Sequence, residues 1–279
     1  MTSARLIGTA VEAGVAVLTL DNPPLNLVTL ELTRRLSAAL ARLAADRAVR
    51  VLVVTGAGDR AFCAGSDVRE FTGFMRRGAV VPGKLALENE TWSRLDDFPK
   101  PTIAALNGLA YGGGLELAVC CDLLIAGADV RLALPEVKLG VIPGTGGTVR
   151  VTRRIGEGRA KELTFTGEPI DAATASAWGL VNRVVPAGGA LAAARALAAV
   201  LARGSADALR LGKRAIDLAL DVSEDTAIAR TLDLSDEAFA SPDCREGVRA
   251  FFAKTPPRFG GPEGAPEKSA RASEDSAKL

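Results

Sequence analysis

With 279 residues, 48% of them hydrophobic and 24% charged, the chain is long enough for one large core and has an ordinary globular composition. A formal charge of +1 gives no electrostatic reason for nucleic acid, a membrane surface or a polyanion to be the main ligand. The sequence has no histidine, which removes imidazole bases, Ser-His-Asp and Cys-His nucleophiles, and most zinc sites.

The opening run MTSARLIGTAVEAG lacks a charged-then-apolar secretory pattern, and no apolar run reaches the length of a membrane span. Val15–Leu20 reads as a strand closed by the turn cluster Asp21-Asn22-Pro23-Pro24. Leu32, Leu36, Leu40 and Leu43 give Leu30–Asp46 a helical apolar face, with arginines opposite. Val51–Thr55 is a continuous apolar run stopped by Gly56, so a buried strand. Strand, helix and strand together suggest a parallel crossover.

Ala61–Glu70 reads as a glycine-containing loop, and Gly73–Lys84 as an irregular, basic, mobile surface segment. Leu85–Leu95 is expected to be a helix, followed by a strand over Thr102–Leu106. The run ALNGLAYGGGLELAVCCD (105–122) then carries three glycines into an apolar helix that includes Cys120 and Cys121. Leu123–Ala126 and Arg131–Leu134 read as strands, Leu139–Thr148 as a Gly-Pro loop, and Arg150–Arg154 as a basic segment. Short helices are expected over Gly158–Phe165 and Asp171–Trp178, and a last strand over Leu180–Val185. From Ala190 to Phe252 the β signals stop and a helical module is expected. Gly260–Leu279, rich in Gly, Pro, Ser and charge, reads as a disordered tail. Pattern alone gives an α/β core over 1–189 followed by helices over 190–259.

Cys63, Cys120, Cys121 and Cys244 have neither metal nor disulfide spacing, so no metal is expected and reduced thiols in a cytoplasmic setting are. Chemistry is better sought in two glycine loops, Cys63-Ala64-Gly65-Ser66-Asp67 and Gly112-Gly113-Gly114. Each offers backbone N–H groups at the end of a strand, and two converging N–H groups can hold a carbonyl oxygen that gains charge. Taken alone, either loop reads better as a tight turn. Glu116 stands one helical turn beyond Gly113 among apolar residues, and Glu136 lies between a strand and the Gly-Pro loop. Two carboxylates around one pocket can divide acid and base work. Taken singly, they could be a helix-start charge and a solvated loop acid. The run Gly144-Thr145-Gly146-Gly147 has neither Walker nor dinucleotide spacing.

Five motifs, in order, resemble the crotonase superfamily, the enoyl-CoA hydratase/isomerase family, over about Leu6 to Phe259. They are NPPLN (22–26), AFCAGSDVRE, NGLAYGGGLELAVCCDLLIA, LPEVKLGVIPGTGGT and TGEPIDAATASAWGLVNRVV. The resemblance implies a spiral of ββα units in two roughly perpendicular sheets, with C-terminal helices that pack against neighbouring subunits in a homotrimer or homohexamer. It implies an acyl-CoA thioester substrate, no separate cofactor, and a lyase of fatty-acid metabolism. It implies carbonyl-binding N–H groups at Ser66 and Gly113, and the hydratase pair of glutamates at Glu116 and Glu136. Ala64, Ser66, Asp67, Val68, Arg69 and Gly112 fall in segments that touch substrate or CoA, and Gly144 at a position that helps hold a water. Pro24 and Leu25 replace a basic residue common in the family, so CoA phosphate contacts are expected from Arg69 or from a neighbour's Lys254 and Arg258. An isomerase, a hydroxyacyl-CoA dehydratase or a thioester hydrolase could share this scaffold. Arg34, Arg35, Arg42, Arg47 and Arg50 also suggest a remote RNA-binding alternative, with a solvated helix face as the simpler reading.

Overall fold

The computed structural model describes residues 6–260, so the tail expected from Gly260 lies, beyond that residue, outside the described residues. Six strands form one sheet in the order β1 (Ile7–Glu12), β2 (Val15–Leu20), β3 (Val51–Gly56), β5 (Thr102–Leu106), β7 (Leu123–Gly127) and β10 (Arg183–Val185). β1 and β2 are an antiparallel hairpin, and the remaining neighbours run parallel. A second sheet has the order β4 (Ala61–Cys63), β6 (Leu109–Tyr111), β8 (Arg131–Ala133) and β9 (Ile170–Asp171). Both sheets are mixed, the second because β9 is antiparallel to β8.

The continuous apolar runs follow from burial on both faces of the larger sheet. Alternate residues of one face, including Val15, Val53, Ile103 and Ile125, pack against α7 (Ala190–Leu201). Ala190, Ala194 and Ala198 recur every four residues, so the contacting stripe of this helix is small and all three are buried. The other face, with Leu18, Leu52, Val54 and Leu124, joins the main core. There α1 (Leu30–Ala45) contributes Leu32, Leu36, Leu40 and Leu43, all at 0% exposure, as its spacing predicted. Thr29 caps its start by accepting from the Leu32 N–H at 3.1 Å. Helix α2 (Ala86–Asp96) packs on α1.

The second sheet places the loops that matter. β4, β6 and β8 are parallel neighbours, with Ala61 opposite Leu109 and Tyr111 opposite Ala133. Their C-terminal ends feed the Cys63–Ser66 loop, the glycine triplet and the segment carrying Glu136. Loops at the same end of parallel strands converge, which is why ligands collect there in such sheets. The glycine triplet opens α3 (Gly113–Ala118), then come α4 (Gly147–Ile155), α5 (Glu157–Thr166) and α6 (Ala172–Trp178).

Four local expectations need correction. α3 ends at Ala118, and Cys120 and Cys121 lie in the turns after it, buried as expected. Arg150–Arg154 is part of α4, whose last turn it forms. The expected strand Leu180–Val185 is confined to Arg183–Val185. Gly73–Lys84 is exposed over much of its length, Arg76 and Arg77 included, but a π-helical turn over Val81–Leu85 carries Lys84 inward to 1% exposure. The sequence hid this because the carboxylates that receive Lys84 come from positions 70 and 88.

α8 (Ala206–Asp221), α9 (Glu224–Ala240) and α10 (Pro242–Ala253) pack mainly on one another. Their outer surface exposes Ile216, Leu220, Leu232, Phe239, Phe251 and Phe252. No helix among the described residues is long and apolar enough to cross a membrane.

Candidate active site

Each glycine of the triplet has its own reason. Gly112 has φ +50°, a conformation that strains L side chains, and a Cβ there would lie 2.8 Å from Glu136 Oε1. A Cβ on Gly114 would overlap the Cys63 carbonyl. Gly113 faces the site: its Cβ position is 3.4 Å from Ser66 Oγ, 3.7 Å from the Ser66 nitrogen and 4.0 Å from Glu116 Oε2. A Cβ on Gly65 would in turn come within 3.6 Å of the Gly113 nitrogen. The two glycine loops therefore meet, as their shared chemistry required.

Their amides are available by construction. Ser66 pairs with Val28 as a parallel bridge in which Gly65 O accepts from Val28 N and Asp67 N donates to Val28 O, both at 2.9 Å. That pairing turns the Ser66 N–H to the opposite side. Gly113 is the first residue of its helix, so its N–H has no intrahelical acceptor. Two such donors side by side can stabilise an oxyanion.

The two carboxylates flank this pair. Glu116, at 3% exposure, receives three donors: the Thr145 and Gly147 N–H groups at 2.8 Å each, and the Thr145 hydroxyl. The Gly144–Gly147 run thus cradles an anion after all, and the anion is a side chain of the same protein. Gly146, at φ +95°, turns the chain so that α4 opens toward Glu116. Sequence reasoning overlooked Thr145 and Gly147 because the run was tested only against nucleotide loops. A glycine-rich helix start beside an otherwise unexplained buried acid was the available signal.

Glu136 sits on a single 3-10 turn, Pro135–Leu139, directly after β8. Its Oε2 is buried without a hydrogen-bond partner. Burial pushes its carboxyl up to about 7; a hydrogen bond from its own backbone pulls the other way, and the Glu116 charge raises it further.

Other expected positions are distributed around this centre. Asp67 caps the turn Val68–Gly73, accepting from the Arg69 N–H at 3.0 Å, and grips the Arg69 guanidinium. That guanidinium holds the Asp67 carboxyl below its ordinary range. Arg69 itself stays 83% exposed in its side chain, beside exposed Val68. Ala64 donates its N–H to Leu25 O, tying the loop to the NPPLN turn. Gly144 O accepts from Asn89 Nδ2 at 2.9 Å, and Gly144 packs against Leu85. Of the basic residues on and after α1, Arg35 pairs with Glu31, Arg42 reaches Thr9 and Arg50 reaches the Gly204 carbonyl.

Paired backbone donors facing two carboxylates, on loops from parallel strands, define a fold and site suited to acid–base chemistry beside a carbonyl. Comparison with known proteins names the class. The enoyl-CoA hydratase/isomerase family profile matches residues 10–262, and the chain belongs to that family. A probable enoyl-CoA hydratase of Mycobacterium bovis is 39% identical over 246 residues, covering 88% of this chain and 94% of the relative. A short-chain-enoyl-CoA hydratase of Clostridium acetobutylicum is 36% identical over 246 residues, covering 87% and 93%. The crystal structure of an enoyl-CoA hydratase from Bacillus anthracis superposes with a TM-score of 0.87 at 35% identity, covering 92% of this chain and all of that one. The crotonase fold and the C-terminal helices expected from the motifs are present.

Proposed function

We propose that this protein is an enoyl-CoA hydratase, adding water reversibly to a 2-enoyl-CoA thioester to give the 3-hydroxyacyl-CoA. The observation that carries the reading is the meeting of the two carboxylates at the glycine triplet: Glu136 Oε1 lies 2.8 Å from the Cβ position of Gly112, and Glu116 Oε2 4.0 Å from that of Gly113, beside Ser66. Hydratase relatives at 36–39% identity support it.

In this reading the thioester carbonyl oxygen accepts from the Ser66 and Gly113 N–H groups. A water lies between the carboxylates. Glu116, oriented by its three donors, takes a proton as the water oxygen bonds to Cβ. The C=C electron pair moves toward the carbonyl, giving an enolate that the two amides stabilise. Glu136, raised toward neutrality by burial, delivers its proton to Cα. Exchange with solvent water then returns one proton from Glu116 to the pool and one to Glu136. The chemistry uses no metal and no cofactor beyond the CoA that the substrate carries.

Ala64, Asp67, Val68, Arg69 and Gly112 are assigned to the substrate and CoA side of the cleft, and Gly144 to the water side. The exposed apolar surface of α8–α10 supports self-association as a trimer or hexamer. With no membrane-length helix among the described residues, a cytoplasmic setting fits this reading. Crotonyl-CoA should lose its conjugated-enoyl absorbance with this protein, with mass spectrometry recording a gain of one water. Retention of that absorbance across a series of enoyl-CoA chain lengths would overturn the hydratase reading.

A further inference from the structure

Lys84 is a cation at 1% exposure, close behind the candidate site and outside the mechanism above. Its Nζ lies 2.8 Å from Glu70 Oε2 and 2.9 Å from Glu88 Oε1; the second contact is an ion pair off the line of a hydrogen bond. Burial pulls the ammonium down, and Glu88 with Glu70 more than restores it. Burial likewise pushes the Glu88 carboxyl up; Lys84 opposes this, while the charges of Glu116 and Glu70 add to it. Buried ion pairs are weak stabilisers relative to hydrophobic packing, because desolvation offsets their attraction. What such a pair does supply is fixed geometry between the segments it joins.

Those segments are the two halves of the site. On the first side, Glu70 Oε1 accepts from the Leu30 N–H at 3.2 Å, and Glu70 N donates to Asp67 O at 3.0 Å. Val28, two residues before Leu30, holds Gly65 and Asp67 on either side of Ser66. On the second side, Asn89 follows Glu88 and donates to Gly144 O, while Leu85 follows Lys84 and lies against Gly144. The next residue, Thr145, donates twice to Glu116. Gly83 allows the turn to seat, since a Cβ there would overlap the Phe74 ring.

We propose that Glu70, Lys84 and Glu88 are positioning residues that lock the Ser66 carbonyl-binding loop to the Thr145 loop that orients Glu116. The inference rests on the hydratase reading. Displacing an oxyanion donor by a fraction of an ångström weakens the transition state more than substrate binding, so the cluster should act on kcat rather than KM.

Glu70→Ala removes the link to both Leu30 and Lys84, whereas Glu70→Gln, whose amide has one oxygen, keeps an acceptor for only one of them. Glu70→Ala should lower kcat about tenfold with KM within about threefold of the parent, and Glu70→Gln should recover no more than part of the loss. The direct readout is 2,4-hexadienoyl-CoA, whose absorbance moves to longer wavelength when its carbonyl is polarised by hydrogen bonds. Glu70→Ala should shrink that shift. The pair-neutral double variant Lys84→Met with Glu88→Leu should do the same while keeping its melting temperature. Parent-like kcat and a full shift in folded Glu70→Ala, or a change in KM alone, would each overturn the proposal. Parent protein that gives neither a shift nor hydration would instead overturn the hydratase reading, and the proposal with it.

Discussion

The two carboxylates beside the glycine triplet occupy opposite surroundings. The Thr145–Gly147 side gives Glu116 three donors from a helix start, which hold both of its oxygens. The Pro135–Leu139 side leaves Glu136 Oε2 buried and unpartnered, with its carboxyl raised to about 7. Two identical side chains are thus given different environments, which in the proposed mechanism suit one to accept a proton and the other to carry one. The residue type permits either role in that mechanism; the neighbours distinguish them.

The most severe way to break this contrast is to remove either carboxyl's proton chemistry. Glu116→Gln and Glu136→Gln should each lower kcat for crotonyl-CoA hydration by about 10²–10⁴-fold, read by absorbance. Full activity in either variant would end the two-carboxylate assignment. Next comes pH. If Glu136 delivers its proton, kcat/KM for hydration should fall about tenfold per unit once pH exceeds about 7, and a flat profile from pH 6 to 9 would contradict that role.

Stability should follow the same group. The Glu136 carboxyl is raised from 4.5 to about 7, so its contribution is fully present below the unfolded value and is lost as pH rises through the folded one. Glu136→Gln should remove up to about 3 kcal/mol of that decline, comparing urea unfolding at pH 5 and pH 8. The smallest effect expected is that of Thr145→Val, which deletes one of three donors to Glu116. It should cost about tenfold in kcat with little change in fold. A loss as large as that of Glu116→Gln would mean that Thr145 does more than orient it.

The legible parts of the molecule were those governed by local periodicity. Leu32, Leu36, Leu40 and Leu43 announced α1, and the runs VAVLTL, VLVVT and TIAAL announced β2, β3 and β5, because burial on one stripe or two faces writes itself into sequence spacing. The three-residue strands β4 and β6 escaped notice because each runs straight into a glycine loop that dominates the local pattern. Lys84 was misread for a related reason: a lysine in a glycine-proline stretch looks solvated until its partners at 70 and 88 are known. Thr145 was passed over because the anion it serves is 29 positions away.

The sequence by itself determined the ingredients: no imidazole, two glycine loops, two acids out of place and five ordered motifs that point to one family. Tertiary structure decided their arrangement. β4, β6 and β8 align in parallel, so three loops far apart in the chain leave one sheet at the same end. That register brings the Ser66 and Gly113 amides together, and it turns the glycine triplet from a plausible turn into the floor of a candidate active site. The unequal hydrogen bonding of Glu116 and Glu136 is likewise a property of packing. Hydrogen-bond donors and solvent exclusion arrive from distant segments, and no local pattern encodes them.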